Sequence, residues 1–128
     1  MIVTTSLHHV GILVTDLARA KAFYSEVLGL REVSRPAFDF GGAWYQLGDR
    51  QLHLIVHPGG KTLRGTTAID SRDGHFAVRV GSYDDTLAFL RSKGIEVRES
   101  RQNATPWAQL YITDPDGNVI ELNVARAG

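Results

Sequence analysis

Four side chains that can bind a metal ion occur as two pairs, at matching positions in the two halves of the chain. His9 and His53 form the first pair, His75 and Glu121 form the second, and nearly equal lengths of chain separate the members of each pair. Imidazole nitrogens and a carboxylate suit a divalent cation such as zinc, nickel, cobalt, iron or manganese. The four residues therefore predict one divalent metal ion per site. The alternative is a fold that keeps these residues without binding metal.

The elements that would position these residues follow the same order in both halves of the chain. In the first half, a strand over 7–14 leads to Asp16 as a helix N-cap, to apolar residues at helical spacing, and to Gly29 as the helix stop. Three more strands are predicted near 31–34, over 44–47 and over 51–56. The first half therefore predicts a βαβββ module.

The second half repeats this order. A strand over 75–80 precedes Ser82 as an N-cap, a helical run, and Gly94 as the stop. The remaining strands are predicted over 95–98, 109–113 and 119–124, with the turn Asp114-Pro115-Asp116-Gly117 before the last of them. The sequence thus predicts an α+β fold: two βαβββ modules, about 5–57 and 75–125, joined by a loop over 58–74, within a single domain of residues 1–128.

Polar residues accompany the candidate ligands of the second module. Alternate side chains of a strand share one face, so Arg79 is predicted to lie beside His75, and Asn123 beside Glu121. Both are candidate substrate-binding residues. An inward Arg79 predicts an anionic group on the substrate, and an ion pair within the protein explains it equally well.

Two further histidines adjoin the candidate ligands of the first module. His57 shares a face with His53 if the strand extends that far, and would then be a substrate-binding residue or a proton carrier. Pro58 indicates that the strand ends there. His8 is predicted to point to the face opposite His9, where packing or solvent explains it.

The composition excludes several classes of protein. The chain has 128 residues, 43% of them hydrophobic, and a formal net charge of zero, which argues against a nucleic-acid binder. Its apolar runs are strand-length, so no membrane span is predicted. There is no cysteine and no signal-peptide pattern, and a cytoplasmic protein is expected.

Short motifs extend the pattern over most of the chain, from Leu7 to Asn123. They are His9-x4-Val14-x-Asp16-Leu17, Ala22-Phe23-Tyr24, Leu28-Gly29-Leu30, His75-Phe76-Ala77-Val78 and Asp114-Pro115-Asp116-Gly117-Asn118-Val119-Ile120-Glu121-Leu122. These motifs resemble the vicinal oxygen chelate superfamily, which includes glyoxalase I, methylmalonyl-CoA epimerase, extradiol dioxygenases, fosfomycin-resistance thiol transferases and bleomycin-resistance proteins. The resemblance implies curved mixed sheets around a metal-site cavity, and a homodimer whose sites are shared across the interface.

The resemblance also implies chemistry on a small-molecule substrate, with the metal acting as a Lewis acid on neighbouring oxygens. It favours a glyoxalase I-like lyase or isomerase, with Glu121 and His53 as catalytic candidates, although the second ligand of those enzymes is usually Glu or Gln. One alternative is a dioxygenase or fosfomycin-type transferase with two His and one carboxylate. Another is a non-catalytic binding protein like the bleomycin-resistance proteins, which the presence of all four ligands disfavours.

Overall fold

A computed structural model describes residues 1–126, which contain two helices and eight strands. The chain forms two compact units, one over Met1–Leu63 and one that begins at Arg64. Each unit holds one module with a four-stranded mixed sheet, as predicted. The elements of the first are β1 (His9–Val14), α1 (Leu17–Ala22) with a π-helical turn (Phe23–Val27), β2 (Arg31–Val33), β3 (Gly42–Leu47) and β4 (Arg50–Val56). Those of the second are β5 (His75–Arg79), α2 (Tyr83–Ser92), β6 (Arg98–Ser100), β7 (Trp107–Thr113) and β8 (Val119–Ala125).

In the first unit the strands lie in the order β1-β4-β3-β2, with β1 parallel to β4 and the other pairs antiparallel. The helix begins where predicted, because the Asp16 side chain accepts a hydrogen bond from the backbone N–H of Arg19. The helical stretch packs its buried Tyr24 near Tyr45 of β3, with ring centroids 6.2 Å apart. One face of this sheet is thereby buried, and the other face carries His9 and His53.

The second unit repeats this arrangement in the order β5-β8-β7-β6, with β5 parallel to β8. Ser82 caps α2 by accepting from the N–H of Asp85, also as predicted. Buried residues Leu87 and Leu90 of α2 lie on the apolar side of the module, together with Leu110 of β7.

The prediction of a strand over 95–98 is wrong, because β6 begins only at Arg98. Gly94 adopts a φ of 69°, its N–H donates to the carbonyl of Arg91, and the N–H of Ile95 donates to the carbonyl of Leu90. These two bonds form a Schellman motif, which uses Ile95 to end the helix. The apolar Ile95 therefore belongs to the helix cap, and strand pairing starts three residues later.

No helix within residues 1–126 combines the length and apolar character needed to cross a membrane.

Tyr83, at the start of α2, predicts a loss of stability at alkaline pH. Its hydroxyl donates to Glu99 at 3.0 Å, and burial together with the Glu99 carboxylate raises its pKa from 10.0 to about 12. The unfolded chain therefore ionises Tyr83 first as the pH rises above 10, and the free energy of unfolding falls between pH 10 and 12. At pH 11.5 the loss from this group should be roughly 2 kcal/mol relative to pH 9.

Guanidinium chloride unfolding at pH 9 and pH 11.5 measures this loss. Tyr83→Phe removes the titrating hydroxyl, so the variant should lose less stability over this interval than the parent chain, by about the same 2 kcal/mol. Equal losses in the two proteins would contradict the assignment of this pH dependence to Tyr83.

Candidate metal centre

The strand register places the four candidate ligands at equivalent positions in the two sheets. In the first sheet, Gly11 of β1 pairs with His53, so His9 lies two residues before the partner of His53. In the second, Ala77 of β5 pairs with Glu121, so His75 lies two residues before the partner of Glu121. Each pair lies diagonally across two parallel neighbouring strands. The face that carries it is called the ligand face below.

In the second module, His75 and Glu121 are spaced as two ligands of one ion would be. The Nε2 atom of His75 lies 3.5 Å from Oε1 of Glu121. Two ligand atoms bound to a tetrahedral zinc at about 2.1 Å are themselves about 3.4 Å apart. Nδ1 of His75 lies 2.7 Å from the carbonyl oxygen of Asp73 and donates to it, which leaves the lone pair on Nε2. The pair therefore fits a divalent metal.

The Glu121 carboxylate is buried, with 6% of the residue exposed, and is held by neutral donors. Its Oε1 accepts from Gln109 Nε2 and from the Tyr111 hydroxyl, both at 3.1 Å, and its Oε2 accepts from Asn123 Nδ2 at 2.7 Å. Burial, followed by the charge of Glu121, raises the pKa of Tyr111, so Tyr111 stays a donor. Within residues 1–126 this carboxylate forms no ion pair with Lys or Arg, and the basic side chain in contact with it is that of His75. A buried carboxylate with this surrounding suits a bound cation.

In the first module, the His53 ring is stacked between two other rings. Trp44 lies on one side, with centroids 4.0 Å apart and planes 3° apart, and His9 lies on the other, at 4.2 Å and 22°. Burial, followed by the charges of His9 and His8, lowers the pKa of His53. This direction favours the neutral imidazole, which is the form that binds metals and accepts protons.

Gln51 contacts His53 directly and was not identified from the sequence. Its Oε1 lies 2.8 Å from Nε2 of His53. An amide oxygen accepts only, so Nε2 of His53 carries the proton in this arrangement. A metal bound at Nε2 would require Gln51 to move aside. The equivalent position in the second module is Val119, so this contact is specific to the first module.

The remaining histidines occupy the margin of the first sheet. The prediction that His8 faces away from His9 is wrong: their Nδ1 atoms lie 2.9 Å apart. Strand alternation does not apply to His8, because β1 begins at His9. His57 follows the end of β4 at Val56, its side chain is exposed, and its N–H donates to the carbonyl of Val14.

Arg79 and Asn123 pair in register on the ligand face of the second sheet. Asn123 is buried, and its amide orients Glu121. The Arg79 guanidinium is 6.0 Å from the centre of the Trp107 ring, and in the described part of the chain it forms no ion pair with a carboxylate. The ion pair within the protein that could have explained Arg79 is therefore not found among residues 1–126.

Each module contributes a pair of candidate ligands rather than a complete cage. Among residues 1–126, no group of three or more His, Asp or Glu side chains is close enough to hold a metal ion.

Comparison with known proteins identifies the class. Residues 6–122 match the model of the Glyoxalase/Bleomycin resistance protein/Dioxygenase superfamily, and the chain belongs to this family. It is 28% identical over 123 residues to the glutathione transferase FosA of Serratia marcescens, covering 93% of this chain and 80% of that protein. It is 27% identical over 142 residues to the lactoylglutathione lyase of Schizosaccharomyces pombe, covering 93% of this chain but 47% of the lyase.

The crystal structure of a glyoxalase family protein from Bacillus anthracis has the same fold. Its TM-score is 0.80 at 25% sequence identity, and the superposition covers 98% of this chain and 99% of that one. The predicted pair of βαβββ modules is therefore confirmed both by the strand order and by these relatives.

Proposed function

We propose that this chain is a metal-dependent enzyme that acts on a small substrate able to chelate a metal through neighbouring oxygens. The ion would be zinc, nickel, cobalt, iron or manganese, and its ligands His9, His53, His75 and Glu121. The observation that supports this most directly is the buried Glu121 carboxylate, which neutral donors orient towards Nε2 of His75. The equivalent register of the His9–His53 pair supports the same assignment.

We further propose that a homodimer completes each site. A pair of protein ligands leaves most coordination positions of a divalent ion open, and each module supplies one pair. In the dimer, His9 and His53 of one chain would meet the partner's His75 and the partner's Glu121. Two equivalent sites per dimer would follow from the two-fold symmetry.

The favoured reaction is a lyase or isomerase reaction that begins with removal of a proton from a carbon next to a carbonyl group. A divalent ion in the site would supply a Lewis acid that polarises the substrate oxygens. Burial lowers the pKa of His53, and the carboxylate of Glu121 lies beside the candidate ligands, so these two residues are the candidate proton acceptors. Arg79, which lacks an ion pair among the described residues, would bind an anionic group of the substrate.

A second candidate is a dioxygenase or thiol transferase with three protein ligands. It is favoured by one contact, the hydrogen bond between Gln51 and Nε2 of His53. If that bond persists, the ligand set is reduced to His9, His75 and Glu121. Two histidines and one carboxylate leave more positions open for substrate or oxygen.

The substitution His53→Ala separates the two candidates. With four ligands, the affinity for zinc or nickel, measured by competition with a chromophoric chelator, should fall by about a hundredfold, because a direct ligand is lost and changes to residues that only orient a ligand already cost roughly 10–100-fold. The cobalt absorption spectrum should change with the number of ligands. His57→Ala, an exposed histidine four residues away, is the matched control for metal retention.

Full metal affinity and an unchanged cobalt spectrum in His53→Ala would remove His53 from the site and favour the three-ligand reactions. A small substrate panel of a hemithioacetal, a catechol and an epoxide, tested with the metal-loaded parent chain, would then assign the reaction.

A further inference from the structure

A second group of side chains lies beside Trp44 in the first module. Phe38 and Phe40, in the segment between β2 and β3, stack with ring centroids 5.0 Å apart, and Phe38 lies 6.2 Å from Trp44. The Arg35 guanidinium carbon lies 4.8 Å from the centre of the Phe38 ring and 5.1 Å from that of Phe40. These four residues, Arg35, Phe38, Phe40 and Trp44, are called the aromatic patch.

The glycine at the start of β3 allows the Arg35 guanidinium to lie against the sheet. A Cβ atom at Gly42 would collide first with the backbone carbonyl of Leu54, and would also meet Nε of Arg35 at 3.1 Å and Nη2 at 3.2 Å. Gly42 precedes Trp44 by two residues and so lies on the ligand face. Trp44 pairs with His53, and Gly42 pairs with Ile55, which is two residues further along β4. The Arg35 guanidinium therefore lies against the strand pair that is two residues from the candidate ligand His53.

The Arg35 guanidinium does not use all of its hydrogen-bond donors. Nη2 of Arg35 donates to the carbonyl of Phe40 at 2.6 Å, but Nε is buried without a hydrogen-bond partner. No carboxylate among the described residues forms an ion pair with it. A buried donor without a partner is destabilising, so a ligand that accepts from this guanidinium would remove that cost.

The two phenylalanines are also unusual, because each keeps 43% of its surface exposed. They flank a cation and do not contribute to the buried core of the module. An aromatic surface joined to an uncompensated positive charge is complementary to a planar ring that carries an anionic group.

We propose that the aromatic patch binds an aromatic carboxylate, and that this is the part of the substrate that extends away from the metal. The ring stacks on Phe38 and Phe40, and the carboxylate accepts hydrogen bonds from Arg35. Trp44 connects this subsite to the candidate ligands, because its ring is stacked on His53 and lies tilted at 47° beside Phe38. The role of this subsite in holding a substrate rests on the proposed function. Binding of an aromatic carboxylate to the patch does not require the metal.

The test uses the metal-free chain and phenylacetate. In the variant Trp107→Phe, Trp44 is the sole tryptophan, so its fluorescence reports on the patch. Phenylacetate should change this fluorescence with a Kd at least tenfold lower than those of cyclohexylacetate, which lacks the aromatic ring, and 2-phenylethanol, which lacks the charge. Calorimetry on the parent chain should give the same ranking.

Variants of the patch complete the test. Arg35→Gln should weaken phenylacetate binding about tenfold, Arg35→Lys should weaken it less because the charge remains, and Phe40→Leu should weaken it by several-fold. The control is Phe89→Leu. Phe89 lies on α2 and is also an exposed phenylalanine, with 40% of its surface accessible. It also has a cation beside its ring, because Nζ of Lys93 lies 5.7 Å from the ring centre. This control should bind phenylacetate like the parent.

Equal affinities for the three probes, or unchanged binding in Arg35→Gln, would overturn the proposal. So would a change of oligomeric state in Phe40→Leu, seen by sedimentation, with unchanged phenylacetate binding, because the patch would then be an interface between copies of the chain. None of these outcomes bears on the proposed metal binding by His53 and Glu121. Chelator competition tests the metal site separately, so the two proposals can fail independently.

Discussion

Glu121→Gln is expected to lower the affinity of the chain for divalent metal ions by about a hundredfold or more. Glutamine has nearly the same shape: its amide oxygen can still accept from Tyr111 and Gln109, and its NH2 group takes the place of the oxygen that accepts from Asn123, whose amide can turn to present its own oxygen. The substitution therefore removes the charge and leaves the fold in place. Changes to residues that only orient a ligand already cost roughly 10–100-fold in metal affinity, and loss of the sole candidate anionic ligand should cost more. Competition with a chelator, using zinc and nickel, measures the change.

The matched control is Glu32→Gln, in which an exposed carboxylate on β2, paired with Lys21 at 3.1 Å, is neutralised. Circular dichroism should show both variants folded, and the control should keep the affinity of the parent. Tyr111→Phe should fall between them, with a loss of about tenfold, because it removes one hydrogen bond to the ligand and keeps the charge. Parent-like affinity in Glu121→Gln would reject the metal site proposed here.

Local signals were sufficient to predict the fold. The apolar residues of β1 and β4 and the helical spacing after Asp16 are short-range patterns, and the capping bonds of Asp16 and Ser82 are made where the sequence predicts them. The misplaced strand at 95–98 shows the limit of such signals. Ile95 is apolar in either role, and only the bond of its N–H to Leu90 assigns it to the helix end.

The candidate ligands were predictable because the repeat relates them, and register confirms that they occupy equivalent positions. Their surroundings were less predictable. Gln109 and Tyr111 reach Glu121 from the neighbouring strand, so identifying them requires the pairing of β7 with β8. The contact of Gln51 was easier to predict. Gln51 lies two residues before His53 on β4, and alternate side chains of a strand share one face.

Arg35 and Arg64 could not be assigned from the sequence, because each belongs to an irregular segment. No periodicity indicates where a loop side chain points, and a solvated charge is the usual interpretation of such a residue. In the structure, the Arg35 guanidinium packs against Gly42, and the Arg64 side chain is only 11% exposed. Contacts with other parts of the folded chain, Gly42 for Arg35 and Gly117 for Arg64, determine these positions.

Arg64→Ala is expected to lower the free energy of unfolding by about 2 kcal/mol. The Arg64 guanidinium donates to the Asp73 carboxylate at 2.5 Å, to the carbonyl of Gly117 at 2.7 Å and to that of Ala68 at 2.8 Å. Its hydrogen bond is also the main reason that the pKa of Asp73 is lowered. Alanine would leave the partly buried carbonyl of Gly117 without its charged donor, at about 1–3 kcal/mol, whereas the acceptors of Asp73 and Ala68 are exposed and can be solvated. Denaturant unfolding at pH 7 measures the loss.

Arg72→Ala is the matched control, because Arg72 lies in the same loop with a 93% exposed side chain, 3.8 Å from Asp70. Its effect should stay within about 0.5 kcal/mol. Arg64 also affects the proposed site indirectly, since it holds Asp73, whose carbonyl accepts from Nδ1 of His75. Arg64→Ala should therefore weaken metal binding by several-fold while Arg72→Ala does not. Equal stability of the two variants would show that the guanidinium of Arg64 does not hold this loop against the sheet.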